Sequence, residues 1–157
     1  MRADKILKYA RLAKFMADEF SKDSSTKVGA LALDPQSYRI LATGYNGFPH
    51  GIDESIPERW ERPIKYEYVE HAERNVIYNA AAEGIALKGA ALIVTALPCT
   101  NCARGVIQTR MSRVITWRPD EQSEFWQRWK DSFNLSLSMF KEAGVEVVFL
   151  DDISNSV

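Results

Sequence analysis

The chain has 157 residues, enough for one domain with a substantial core, and residues 1–157 read as such a domain with 151–157 as a tail. Hydrophobic residues make up 46% and aromatic residues 11%, which excludes a disordered chain. Twenty basic against twenty-one acidic side chains leave a formal charge of -1. That balance gives no reason to expect a nucleic-acid partner, because binding a polynucleotide runs on neutralising many phosphates. No apolar run approaches the roughly 20 residues needed to span a bilayer, so no membrane partner is expected.

Ile6, Ala10, Ala13, Ala17 and Phe20 recur at steps of four and three, which predicts a first helix with one apolar face. Val28 to Leu33 and Arg39 to Tyr45 read as two strands around the Asp34-Pro35 turn, joined as an antiparallel hairpin. Between Phe48 and Glu70 three prolines, Gly51 and many charges break every period. A loop of that length in a compact domain is usually functional, and its place before His71 suggests that it covers a substrate. A helix follows from about Ala72 to Glu83, ended by Gly84. Ala91 to Ala96 is a short strand, Pro98-Cys99-Thr100 opens a helix to about Thr109, and Arg113 to Trp117 is another strand. Trp126, Trp129, Phe133, Leu137 and Phe140 mark the last helix, closed by Gly144, and Val145 to Leu150 forms a final strand. Helices alternating with strands in the second half predict an α/β fold, a three-layer α/β/α sandwich on a five-stranded mixed sheet. Trp126 and Trp129 read as core or as a contact between subunits.

The chemistry concentrates in two short runs, His71-Ala72-Glu73 and Pro98-Cys99-Thr100-Asn101-Cys102. A catalytic zinc takes three protein ligands and keeps an open position for water, which His71, Cys99 and Cys102 satisfy with one Zn2+ per chain. Both runs lie where the chain enters a helix, whose unpaired N–H groups and positive end favour thiolates. Glu73 stays off the metal and is free to move protons. A C-x-x-C alone also reads as a redox pair, and a structural zinc would need His50 as a fourth ligand; the H-x-E run and the preceding proline favour the open catalytic site. These are the chain's two cysteines, and they must stay reduced to hold metal, which points to the cytoplasm.

H-x-E with P-C-x-x-C is the signature of zinc-dependent base deaminases. With Thr26-Lys27-Val28-Gly29-Ala30, Gly44-Tyr45-Asn46-Gly47-Phe48-Pro49 and Cys102-Ala103 it makes residues 4–150 resemble the deoxycytidylate deaminases of the cytidine deaminase superfamily. The resemblance implies a cytidine deaminase-like fold and hydrolysis of dCMP to dUMP and ammonia, a step that feeds dTMP synthesis. It implies zinc on His71, Cys99 and Cys102, proton transfer by Glu73, and substrate contacts from Asn46 and the backbone near Ala72. It further implies that Gly44, Tyr45, Asn46 and Gly47 help bind a regulatory dCTP or dTTP, with Mg2+, in a homo-oligomer (hexamer or dimer). Lys27, Arg74 and Arg104 are the candidate cations for the phosphate, Lys27 being taken as substrate-binding, while Glu70 adds a carboxylate beside the motif. The pattern departs from the family after Trp117, so the stretch that shapes the nucleotide pocket is altered. The rival readings are a deaminase of another base carrier (modified dCMP, a pterin or riboflavin precursor, tRNA adenosine) and a non-catalytic zinc-containing nucleotide-binding module. Glu73 argues against the module, which has no use for a proton carrier.

Overall fold

The computed structural model describes residues 1–154. Five strands form one mixed sheet in the order β2-β1-β3-β4-β5: β1 Gly29–Leu33, β2 Ile40–Tyr45, β3 Ala91–Val94, β4 Arg113–Thr116 and β5 Glu146–Phe149. β1 runs antiparallel to both of its neighbours, whereas β3, β4 and β5 are parallel. The parallel pairs require helical crossovers. These are α4 (Thr100–Gln108) between β3 and β4, and α5 (Glu124–Ala143) between β4 and β5.

β1 is buried at every position, so it reads as a continuous apolar run without a polar face. Its alternation sorts side chains between two cores. Leu31 and Leu33 meet α1 (Ala3–Phe20) through Ile6, Ala10 and Ala13, with Ile93 and Ile115 beside them. Ala30 and Ala32 face the other way, toward α3 (Ala72–Ala82), α4 and α5, in a core with Val76, Val106 and Phe140. The predicted three-layer sandwich is the observed architecture.

Small differences have local causes. Phe20, expected on the apolar face of α1, is exposed at the end of the helix and stacks on Tyr45, with ring centroids 5.7 Å apart. The last strand stops at Phe149, and Leu150–Ser154 form a short helix, α6, with Leu150 and Ile153 packed on the α1 core. Those residues are therefore not the free tail expected from 151 onward; 155–157 of that expectation lie outside the described residues. α5 begins at Ser123, whose hydroxyl accepts the Trp126 N–H, and ends at Gly144 in the left-handed conformation (φ 71°) that favours glycine.

The long segment before His71 is ordered by its aromatic side chains. Phe48 is buried and stacks on Trp60 at 4.2 Å, with Tyr68 beside it at 5.3 Å. It contains a 3-10 turn at Pro57–Trp60 and a single α-helical turn, α2, at Lys65–Tyr68. Its two ends are clasped: Gly47 and Glu70 exchange both main-chain hydrogen bonds, at 3.1 and 2.8 Å. No helix among the described residues is long and apolar enough to cross a membrane.

Candidate active site

His71 and Cys99 occupy the N-cap positions of α3 and α4, in extended backbone, and neither side chain makes a capping hydrogen bond. An N-cap usually carries Ser, Thr, Asp or Asn, and forgoing one costs typically about 1 kcal/mol. Both helices forgo it here because the two side chains turn toward each other. Cys102, one turn into α4 and fully buried, completes the group.

The three edges of this triangle decide what it can hold. His71 Nδ1 lies 3.5 Å from Cys99 Sγ and 3.4 Å from Cys102 Sγ, and the sulfurs are 3.7 Å apart. Zn–S of about 2.3 Å and Zn–N of about 2.05 Å at tetrahedral angles give edges of roughly 3.55 Å and roughly 3.75 Å. The group therefore fits three corners of a zinc tetrahedron. Both cysteines are free thiols, and His71 completes with them a ligand group that a C-x-x-C redox pair does not require. His50 is not part of the group of ligand atoms.

The three groups polarise one another's protons. Hydrogen bonds from Cys102 and from His71 hold the Cys99 thiol down to about 4 against the opposing effect of burial. The hydrogen bond to Cys99 raises His71 to about 9, and the proximity of Cys99 together with burial raises Cys102. Glu73 sits on the first turn of α3 and is only 4% exposed. Burial pushes its carboxyl up from the usual range although the neighbouring His71 opposes this.

His71, Cys99 and Glu73 line a cleft of about 670 Å³ including its open mouth. One wall is Asp23, Thr26, Val28 and Asn46; another comes from the loop, with Arg62, Lys65 and Tyr66; the third is α5, with Phe125, Arg128 and Trp129. Trp129 stands edge-on to His71 and to Tyr66, with ring centroids 6.1 and 6.2 Å apart. It is thus a wall of the cleft and not simply core, whereas Trp126 packs on Phe133 at 5.8 Å.

Several expected substrate contacts have other partners. Asn46 is buried in the wall with its amide saturated. Its Oδ1 accepts from Val28 N–H and Ser21 Oγ at 2.7 and 2.8 Å, and its Nδ2 donates to Thr26 O at 2.8 Å. Lys27 is turned away from the cleft and donates to Asp18 O at 2.8 Å. Arg74 is paired with Glu70 at 2.9 Å, which also takes that carboxylate out of the cleft, and Arg104 donates to Asn101. None of the three expected phosphate cations lines the cleft. Ala72 faces the core, beneath β2.

The Gly44–Gly47 run has a structural role in this arrangement. A Cβ on Gly44 would stand 2.5 Å from Ala72 O and 2.7 Å from Val76 N, so glycine lets α3 approach β2. Tyr45 accepts the Asn75 amide on its carbonyl at 2.7 Å, and Gly47 holds Glu70 beside the histidine. The cations that do line the cleft, Arg62, Lys65 and Arg128, were missed in the sequence. The pointer available was the Arg62-Pro63-Ile64-Lys65 run in a loop already expected to cover substrate.

A model of the cytidine and deoxycytidylate deaminase zinc-binding region matches residues 3–117. The chain is 40% identical over 148 residues to an uncharacterized deaminase encoded in the luxG 3' region of Aliivibrio fischeri, covering 92% of this chain and 95% of that one. It is 34% identical over 149 residues to a probable deoxycytidylate deaminase of Drosophila melanogaster, covering 88% of this chain and 68% of the relative. Its fold is similar to that of the dCMP deaminase of cyanophage S-TIM5, crystallised with dCMP and dUMP. That likeness has a TM-score of 0.73 at 23% identity and covers 94% of this chain and 97% of the other. The motif-bearing helices, the three-cornered ligand group and the family match all fall within residues 3–117, and the chain belongs to the cytidine and deoxycytidylate deaminase family.

Proposed function

We propose that this chain is a hydrolytic deaminase of dCMP, with zinc on His71, Cys99 and Cys102 and proton transfer by Glu73. The observation that carries the reading is the placement of a buried carboxyl, outside the ligand set, beside a ligand triangle of zinc dimensions in the lining of an open cleft. The named relatives support the substrate: a deoxycytidylate deaminase of mouse is 36% identical over 114 residues, although the chain spans only 61% of its length.

When bound, zinc supplies a water acidified toward a pKa of roughly 7. Glu73 takes one proton of the attacking water and delivers it to ring N3 as the oxygen adds at C4; it then takes the second proton from the C4 hydroxyl and passes it to the amine as the C4–N bond breaks and the C4 carbonyl forms. The balance is dCMP plus water giving dUMP plus ammonia. A carboxyl whose pKa is lifted by burial holds a proton more readily than an exposed one, which suits a group that must carry a proton between water and the ring. N–H groups at the start of α3, Ala72 among them, lack intrahelical acceptors and are donors at hand for the base carbonyl. Trp129 and His71 offer aromatic surfaces to the ring.

The same reading extends to regulation by dCTP or dTTP with Mg2+, to self-assembly, and to a reducing, cytoplasmic setting for the two free thiols. Ammonia release should be measured across dCMP, CMP, deoxycytidine, dCTP and 5-substituted dCMP, with and without dCTP and dTTP. Preference for dCMP supports the proposal, and preference for a different base carrier overturns it.

A further inference from the structure

The cleft contains more charge than proton transfer uses. Its charged lining residues are Asp23, Arg62, Lys65, Glu73 and Arg128. Asp23 and Lys65 cancel each other: Lys65 Nζ is 2.7 Å from Asp23 Oδ2, with the side chains 7% and 3% exposed. Glu73 belongs to the reaction. Arg62 reaches only the neutral Ser25 hydroxyl, at 3.4 Å, and Arg128 forms no ion pair among the described residues. Two unmatched positive charges therefore stand in the cleft of a protein whose formal charge is -1.

Resting on the deaminase reading, we infer that Arg62 and Arg128 clamp the 5'-phosphate of the substrate and make the enzyme specific for a nucleoside monophosphate. Both arginines are exposed, whereas Glu73 and the sulfurs are buried below them, so the cleft is cationic at its mouth and reactive at its floor. A nucleotide has the same polarity, with the base at one end and the phosphate at the other. A phosphomonoester carries about -1.5 to -2 at pH 7, which two guanidinium groups match, and each can grip it through two parallel N–H bonds. A polynucleotide would need a longer basic track. Arg62 comes from the loop before the motif and Arg128 from α5, next to the cleft residue Trp129. The family match ends at Trp117, so Arg128 lies beyond the residues it covers.

The test compares dCMP with deoxycytidine, which has the same base and sugar without the phosphate. In zinc-loaded protein, Arg128→Ala and Arg62→Ala should each lower the dCMP to deoxycytidine ratio of kcat/KM by roughly 10- to 100-fold, mostly through KM. Arg128→Lys should recover part of the ratio. An unchanged ratio overturns the clamp, whether both activities fall together or neither does. Wild-type protein inert on both substrates would reject the deaminase reading alone. Binding of dUMP against deoxyuridine, measured by calorimetry, then decides the clamp: Arg128→Ala should weaken dUMP selectively, and equal affinities across wild type and variant overturn it.

Discussion

Lys65 Nζ lies 2.7 Å from the Asp23 carboxylate and also donates to Ser25 Oγ at 2.7 Å, with both ionic side chains nearly sealed from solvent. The pair ties the loop before His71 to the turn after α1. Removing one partner leaves a buried charge uncompensated, so Lys65→Met should cost about 3–5 kcal/mol in denaturant unfolding. Burial alone would raise the Asp23 carboxyl, but hydrogen bonds from Lys65 and from the Ser25 amide, with the lysine charge, hold it below its usual value. A carboxyl depressed in the folded state contributes stability above its unfolded pKa of about 3.9, lost as pH falls through the folded value. A Lys65→Met/Asp23→Asn double variant should therefore lose less stability than wild type as pH drops below about 4. A single-variant cost under 1 kcal/mol would contradict this account.

Gly44→Ala should disturb the site without touching it. The added Cβ meets backbone of α3 at 2.5 and 2.7 Å, and backbone cannot swing aside. An overpacking cost of about 1–3 kcal/mol and weaker zinc retention are expected, because α3 carries His71 and Glu73 at its start. Gly105→Ala is the control: its Cβ would meet only the Ile77 Cδ1 methyl, at 2.9 Å, which can rotate. Equal melting temperatures and zinc contents for the two variants would reject the argument.

Cys102→Ala takes one corner from the triangle and leaves a buried gap beside Phe133 and Leu97. Zinc retained after dialysis should fall from about one equivalent to near none, with a lower melting temperature. Full occupancy in this variant would remove Cys102 from the ligand set.

Periodicity made the secondary structure legible because it records which face is buried. The Ile6-Ala10-Ala13-Ala17 stripe is buried, and the Gly144 stop falls where α5 ends. The ligand group was legible for a different reason. His71 and Glu73 share one helix start and Cys99 and Cys102 share another, so local spacing fixes half the geometry. The cleft walls were not legible. Whether Lys65 or Lys27 enters the cleft depends on the path of an aperiodic segment, and that path is set by contacts such as Phe48 on Trp60. Asn46, which the family resemblance put at the substrate, does line the cleft, but the partners of its amide, Val28, Ser21 and Thr26, could not be read from the sequence.

The most direct test is to measure zinc content and dCMP turnover in the same preparation of Glu73→Gln. Glu73 is buried beside the triangle without being one of its corners, so the amide should keep about one zinc per chain and lose the proton shuttle. The account predicts zinc content equal to wild type and turnover reduced by at least about 100-fold. Turnover close to wild type, or full activity in protein free of metal, would contradict it.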